Sequence, residues 1–263
     1  MARQKKLIEQ AYGIADLLGL SVWCEDEAGP YQTKPYAGAS WPFQGHPLQQ
    51  PHEYSRNGTA KVVTLFHPAD GRVAVKGVMR TTNAIVHAWL KQTLSMILAD
   101  LPPAVPRPAY LEHLLWETWR AGLQQAVSLP RHVPPLRLLL ILDNLVGHKN
   151  SDWLGWCFRQ GILPLYTPLG GSWLNRAESI QRILKRRALD GTYPDSPQQI
   201  IQAFEDVAAH WNKHPTPFVW AGKRKARRDR AALKRHRSGA SGAATARPSR
   251  HRSLSRPAWQ PTH

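Results

Sequence analysis

Three acidic residues stand where a carboxylate costs most and can do most. Asp26 follows the apolar run Gly19-Leu20-Ser21-Val22-Trp23-Cys24. Asp143 ends the greasier run Leu136-Arg137-Leu138-Leu139-Leu140-Ile141-Leu142. Glu178 lies in Trp173-Leu174-Asn175-Arg176-Ala177-Glu178-Ser179-Ile180, which opens a helix. A carboxylate at the end of a buried strand is tolerated when a cation, a metal or a hydrogen-bond network stabilises its charge. Three acids delivered by two strand ends and one helix supply the hard oxygen donors that divalent metals take. A pair of such metals supports in-line attack on a phosphodiester.

Side-chain alternation sharpens the first position. In Glu25-Asp26-Glu27 an extended strand turns Asp26 to one face, with Cys24 and Val22, and both glutamates to the other. Only one or two of the three can therefore share a site. On the helix, Ala177, Ile180, Leu184 and Ala188 form a core stripe, and Glu178, Arg182, Lys185 and Arg186 occupy an adjoining face. One acid then heads a row of bases suited to nucleic-acid phosphates. The competing reading is a Glu178–Arg182 surface pair at i,i+4, worth a few tenths of a kcal/mol. Three nearby residues carry paired readings too. Asn144 either bonds a metal-bound water or shapes the turn. His148 either contacts a phosphate or orients a ligand, or it caps the next helix. Asn175 either supports the ligand Glu178 or makes a local backbone bond.

The elements that must position these residues follow from periodicity and punctuation. Residues 1–19 read as an amphipathic helix with Leu7, Ile8, Ala11, Ile14, Leu17 and Leu18 on one side. The first strand covers about 20–26. Residues 28–57 are dense in Pro and Gly and read as a long loop. There Trp41, with Tyr31, Lys34, Tyr36 and Arg56, either stacks on unpaired bases or anchors the loop. Residues 61–66 and 72–78 form an antiparallel hairpin around His67-Pro68-Ala69-Asp70-Gly71. A helix over 82–100 follows, capped by Thr81 or Thr82, with Ile85, Trp89, Leu94, Ile97 and Leu98 inward, and Pro102-Pro103 ends it. Further helices are predicted over 109–127, 151–160 and 196–213. Strands are predicted over 136–142, apolar on both faces as a covered central strand is, and over 162–166. Trp23, Trp89, Trp116 and Trp119 are assigned to the core. This order predicts a mixed sheet covered on both faces.

Composition adds the partner. The chain has 263 residues, a net charge of +17 and 42% hydrophobic residues, enough for a good core. The charge is uneven. Residues 221–263 hold thirteen Lys and Arg against one acid, Asp229, whereas the first 220 hold twenty-two against seventeen acids. A tail this basic suggests a polyanion, nucleic acid before membrane. A plain solvated tail is the bland alternative. Within it, Lys223, Arg224, Lys225, Arg227 and Arg228 are the expected phosphate contacts, without sequence preference. The two cysteines, Cys24 and Cys157, have no zinc or disulfide spacing. No stretch reads as a signal peptide or membrane span, so a cytoplasmic, nucleoid-associated protein is expected.

The ordered set Asp143-Asn144-Leu145-Val146-Gly147-His148-Lys149, then Pro164-Leu165-Tyr166-Thr167-Pro168, then Trp173-Leu174-Asn175 and Glu178 resembles the catalytic core of DDE superfamily transposases. More narrowly, it resembles bacterial insertion-sequence transposases related to the mariner group. Glu25-Asp26-Glu27-Ala28-Gly29-Pro30 resembles the segment around their first aspartate. His210-Trp211-Asn212-Lys213-His214-Pro215-Thr216-Pro217-Phe218-Val219-Trp220 resembles the end of their catalytic domain. The likeness spans roughly residues 16–230.

What the resemblance implies is an α/β, ribonuclease H-like fold with a mixed five-stranded sheet and helices on both faces. The catalytic domain would occupy 20–220, between the N-terminal helix of 1–19 and the basic, partly disordered tail of 221–263. It implies a transposase that cleaves and transfers DNA strands, with Asp26, Asp143 and Glu178 holding two Mg²⁺, for which Mn²⁺ can substitute. One ion would activate a water or 3′-hydroxyl and the other steady the leaving oxygen, without a covalent protein–DNA intermediate. The implied partners are transposon ends, target DNA and a second copy of the chain. Relatives carry helix-turn-helix modules ahead of the core, whereas about 19 residues precede the first strand here. A separate end-binding module or chain, or a truncated copy, is expected. Gly170-Gly171-Ser172 replaces the Ser-Pro of many relatives, and Ser172 is expected to cap the helix of Glu178. Two other readings stay open: a ribonuclease H-like nuclease without transfer, and an inactive, transposase-derived nucleic-acid-binding protein.

Overall fold

The computed structural model describes residues 2–38, 46, 49, 51–144 and 146–218. Trp41 and the tail residues Lys223, Arg224, Lys225, Arg227 and Arg228 lie outside the described residues. All the elements below belong to one compact unit, Met1–Pro217.

Helix α1 (Ala2–Ile14) leads into strand β1 (Ser21–Gln32). Strand β1 pairs antiparallel with β2 (Thr59–Phe66), and β2 pairs antiparallel with β3 (Val73–Val78). Two helices follow, α2 (Asn83–Asp100) and α3 (Ala109–Arg120). Strand β4 (Leu138–Leu142) then joins the other edge of β1 in parallel. Helix α4 (Ser151–Arg159) connects it to β5 (Ile162–Tyr166), which pairs parallel with β4. Helices α5 (Ala177–Leu189) and α6 (Pro197–Trp211) complete the unit. The sheet order is β3-β2-β1-β4-β5. A five-stranded mixed sheet in this order, with only β2 antiparallel to the rest, is the ribonuclease H-like arrangement.

The core sits where the sequence is greasiest. Every residue of β4 and β5 is buried, as expected of strands covered on both faces. The helix starts follow local chemistry. Asn150 caps α4 by accepting the Trp153 N–H at 2.7 Å, and Ser196 caps α6, which has Pro197 in its first turn. The stripe Ala177, Ile180, Leu184 and Ala188 is buried as its spacing requires. No described helix is long and apolar enough to cross a membrane.

Several expectations need correction. Strand β1 runs to Gln32, through what reads as the start of a loop. Its pairing with β2 slips between Ala28 and Tyr31 and then resumes at Tyr31–Ala60. Gly29-Pro30 therefore forms an irregularity inside a strand, where its composition suggests a turn. Helix α3 stops at Arg120 and a short 3₁₀ turn covers Ala121–Leu123, so the helix over 109–127 is shorter than its apolar spacing suggests. In α2 the buried positions are Val86, His87, Leu90, Leu94 and Leu98, a stripe rotated from the one expected, and Ile85 is exposed. Thr82 stands at the cap of α2 without a side-chain bond. Ile14 and Leu17 are also exposed, because α1 ends at Ile14 and a 3₁₀ turn changes the chain direction. Trp23, Trp116 and Trp119 are in the core, while Trp89 is half-buried.

Candidate active site

Strand pairing brings the first two acids together. Cys24 and Ile141 are the last partners of the parallel β1–β4 pair. The same register carried two residues further sets Asp26 beside Asp143, just past the end of β4. Across the other edge of β1, Asp26 pairs with Thr64 of β2. Glu178 is the second residue of α5, the helix laid against β1 and β2.

Electrostatics shows how closely the acids crowd. Burial comes first, then the charge of Asp143, with Glu178 and Glu27 behind it; together they push Asp26 up to about 7. The Glu27 N–H, donated to Asp26 Oδ1 at 3.0 Å, pulls the other way. Glu25 is 1% exposed, and burial lifts its carboxyl well above the usual range, with Asp143 and Asp26 adding to the effect. Alternation turns Glu25 away from Asp26, yet at the strand end Asp143 is the charge that acts on it most. Glu178 is exposed, and its Oε1 accepts from Arg182 Nη2 at 3.0 Å. The pair that the i,i+4 spacing suggests is thus formed.

The start of α5 is held by side chains that also touch β1. Asn175, 4% exposed, donates from Nδ2 to the Glu25 carbonyl at 2.5 Å, and its Oδ1 accepts the Ala177 N–H at 3.1 Å. The local backbone bond is thus formed, and the same amide also ties the start of α5 to β1. Ser172 does not cap α5. It begins a separate 3₁₀ turn, Ser172–Leu174, and the helix starts at Ala177. Gln181 donates to the Asp26 carbonyl at 3.0 Å. Tyr12 of α1 donates its hydroxyl to the Leu174 carbonyl at 2.9 Å, lies 3.0 Å from Cys24 Sγ, and carries the Arg176 guanidinium 3.5 Å above its ring. Burial pushes the Cys24 thiol up to about 11, so it is a packed thiol without nucleophilic character.

Sequence reasoning misses Gln181, Thr64 and Tyr12. Signals exist for two of them. Gln181 falls between Ile180 and Leu184 on a buried helix face, and Thr64 interrupts the apolar run Val62-Val63-Thr64-Leu65. The row of bases is displayed as expected: Arg182 and Arg186 are exposed, and Lys185 is half-buried. Lys185 reaches Asp190 at 3.2 Å and, with Lys34, lies 5.6 Å from the centre of the Tyr36 ring. The side chain of His148 lies outside what is described.

A divalent cation fits this donor set in kind. Asp26, Asp143 and Glu178 offer hard oxygens whose mutual repulsion a cation would relieve. Two further oxygens of this neighbourhood, Thr64 Oγ1 opposite Asp26 and Asn144 Oδ1 next to Asp143, are buried without a hydrogen-bond partner among the described residues. The spacing is open, however. No three His, Cys, Asp or Glu side chains among the described residues are close enough to ligate one ion. Glu178 would have to exchange Arg182 for the cation.

No protein-family model matches the chain, and no curated protein does. Solved structures are similar to it, two of them as follows. A chain of the simian T-cell lymphotropic virus intasome in complex with the PP2A regulatory subunit B56 gamma aligns at 12% identity with a TM-score of 0.39, over 72% of this chain and 48% of that one. A chain of a pre-cleavage Mos1 transpososome aligns at 13% identity with a TM-score of 0.42, over 81% of this chain and 60% of that one. This chain thus spans about half of the first and three-fifths of the second.

Proposed function

We propose that the chain is a DNA-strand-cutting and strand-transferring enzyme of the DDE transposase class, acting with Mg²⁺ or Mn²⁺. The observation that carries this reading is the parallel register of β1 and β4, which sets Asp26, midway along β1, beside Asp143 just past β4, with the charge of Glu178 reaching Asp26 from α5. The sequence resemblance to insertion-sequence transposases supports the finer part: transposon ends and target as substrates, a homodimer on DNA, and end recognition by a separate helix-turn-helix module.

In this reading Asp26, Asp143 and Glu178 hold the cations. When bound, two such ions lower the pKa of an attacking water or 3′-hydroxyl and steady the leaving oxygen. Asp26, raised to about 7, is partly protonated at neutrality, so holding a cation there would displace that proton. Were Glu178 to hold a cation, Arg182 would lose its partner and be available to a phosphate beside Lys185 and Arg186.

The test is nicking of supercoiled DNA, followed by transfer of a 3′-hydroxyl end into a target. Asp26→Asn, Asp143→Asn and Glu178→Gln should each fall to the no-enzyme background while keeping the parent circular dichroism. Mg²⁺ and Mn²⁺ should support cleavage and Ca²⁺ should not, because Ca²⁺ takes looser, higher coordination. Undiminished cleavage in excess EDTA would remove the metal mechanism. Nicking without transfer would leave a ribonuclease H-like nuclease. A second reading, an inactive DNA-binding descendant, is favoured by the Glu178–Arg182 pair. DNA binding with no nicking under any cation would select it.

A further inference from the structure

Two buried amides bracket Glu178 and reach across to the strand that carries Asp26. Asn175 stands three residues before Glu178 and Gln181 three residues after it. Asn175 Nδ2 donates to the Glu25 carbonyl at 2.5 Å, and Gln181 Nε2 donates to the Asp26 carbonyl at 3.0 Å. Their targets are consecutive carbonyls, at the point where β1 has run past its last pair with β4. Both side chains are buried, at 4% and 7% exposure. Asn175 is tied a second time, through Oδ1 to the Ala177 N–H that starts α5. A buried carbonyl left without a donor costs about 1–3 kcal/mol, so these contacts resist sliding of the helix.

We propose that Asn175 and Gln181 are positioning residues that lock α5 onto β1 and thereby set the separation of Glu178 from Asp26. This rests on the metal-dependent reading above. The logic is geometric. Glu178 itself is exposed and, among the described residues, bonded to Arg182 on its own helix, so its own contacts do not fix where it stands relative to β1. The backbone of α5 does, and two hydrogen bonds, one just before the helix starts and one six residues further on, fix both its height and its rotation. One would leave a pivot. Neither amide touches a reacting atom. Each acts by holding backbone of α5 and β1 next to the acids those elements carry.

The experiment uses the full chain and three variants chosen to spare the fold. Gln181→Met keeps the length and removes the donor. Asn175→Asp keeps the acceptor for the Ala177 N–H and removes the donor to Glu25. Gln181→Glu keeps the shape of Gln181 and tests the donor again. Mn²⁺ binding is read by calorimetry and by the electron paramagnetic resonance of bound ion, with no DNA present. Cleavage is then read against Mn²⁺ concentration. Loss of partners that orient ligands typically weakens metal affinity roughly 10–100-fold. The half-saturating Mn²⁺ concentration should rise by that factor in Gln181→Met and Asn175→Asp, with most of the maximal cleavage rate recovered at saturating Mn²⁺. A purely structural role would lower the melting temperature and leave the Mn²⁺ requirement of the folded fraction unchanged, and that result overturns the inference. If the parent binds no Mn²⁺ and its cleavage ignores the ion, the functional reading fails first and takes this one with it. A parent that responds to Mn²⁺ beside variants that match it sinks this inference alone.

Discussion

Asp26 stands among three other carboxylates, Asp143, Glu178 and Glu27, whose charges all oppose its ionisation, and burial opposes it further. Its pKa of about 7 in the fold, against 3.8 unperturbed, has a consequence for stability. Between these two values the folded chain binds a proton that the unfolded chain has lost. Stability contributed by this group is therefore present below about pH 4, falls as the pH rises toward about 7, and is gone above it. Asp26→Asn should match the parent in acid and exceed it above neutrality by a few kcal/mol. Urea unfolding at several pH values measures this. A parent as stable as the variant at pH 8 would mean the acids are not crowded as described. Millimolar Mg²⁺ should raise the stability of the parent by mass action and leave Asp26→Asn little changed. On the proposed reading activity and stability are opposed at one residue: the substitution expected to end cleavage is also expected to strengthen the fold.

At the scale of elements, α6 approaches β3 so closely that Gly77 has no room for a side chain. A Cβ there would lie 2.5 Å from Ile201 Cγ2 and 2.8 Å from its Cβ. Ile201 is β-branched and stiff in a helix, so it cannot swing aside. The Gly77 N–H also donates to Glu205 Oε1 at 3.1 Å, which ties the same two elements together. Gly77→Ala should push α6 outward and cost about 1–3 kcal/mol by thermal unfolding. Cleavage should change little below the new melting temperature, because α6 carries none of the acids. Nothing in the sequence around Gly77 announces this contact, since a glycine in a strand pattern can equally mark a bulge. The elements that could be read from sequence were those with strong local signals: the hairpin over β2 and β3, the all-apolar β4, the Pro197 start of α6. The stripe of α5 belongs with them, and so do Asp143 just past β4 and Glu178 in the first turn of α5, whereas Asp26, expected at a strand end, lies midway along β1. The rest depends on tertiary partners. β1 continues past Gly29-Pro30 because β2 offers it a second register. The helix of Glu178 starts at Ala177 because Asn175 satisfies its N–H, while Ser172 is spent on a turn of its own. Gln181 reads as a helix polar residue until β1 supplies a carbonyl for it.

Charge is the property that belongs to the whole molecule. Of the net +17, residues 221–263 contribute +12, and the first 220 residues only +5. The site is locally acidic, with Glu25, Asp26, Glu27, Asp143 and Glu178 close by, so it would repel a phosphodiester in the absence of cations. On the proposed reading attraction would come from elsewhere: from Arg182, Lys185 and Arg186 on α5 and, above all, from the charge of residues 221–263. A basic segment that neutralises phosphates contributes through counterion release, with a log–log slope of about −0.9 per phosphate on duplex DNA. Such contacts carry no base-reading signature. Deleting residues 223–263 should therefore weaken DNA binding about equally for all sequences and flatten its dependence on salt. Arg182→Ala with Arg186→Ala should lower the slope by at most about two, one for each charge removed. The intact chain should show little preference for transposon ends over scrambled DNA, because none of its described elements resembles a helix-turn-helix. Gel-shift titrations at several salt concentrations, with matched and scrambled ends, test all three statements. Strong end-specific binding that survives the deletion would place a base-reading element within residues 1–222. The segment between β1 and β2 and the exposed face of α3, where Tyr110 and Leu114 lie open, would be the first places to substitute.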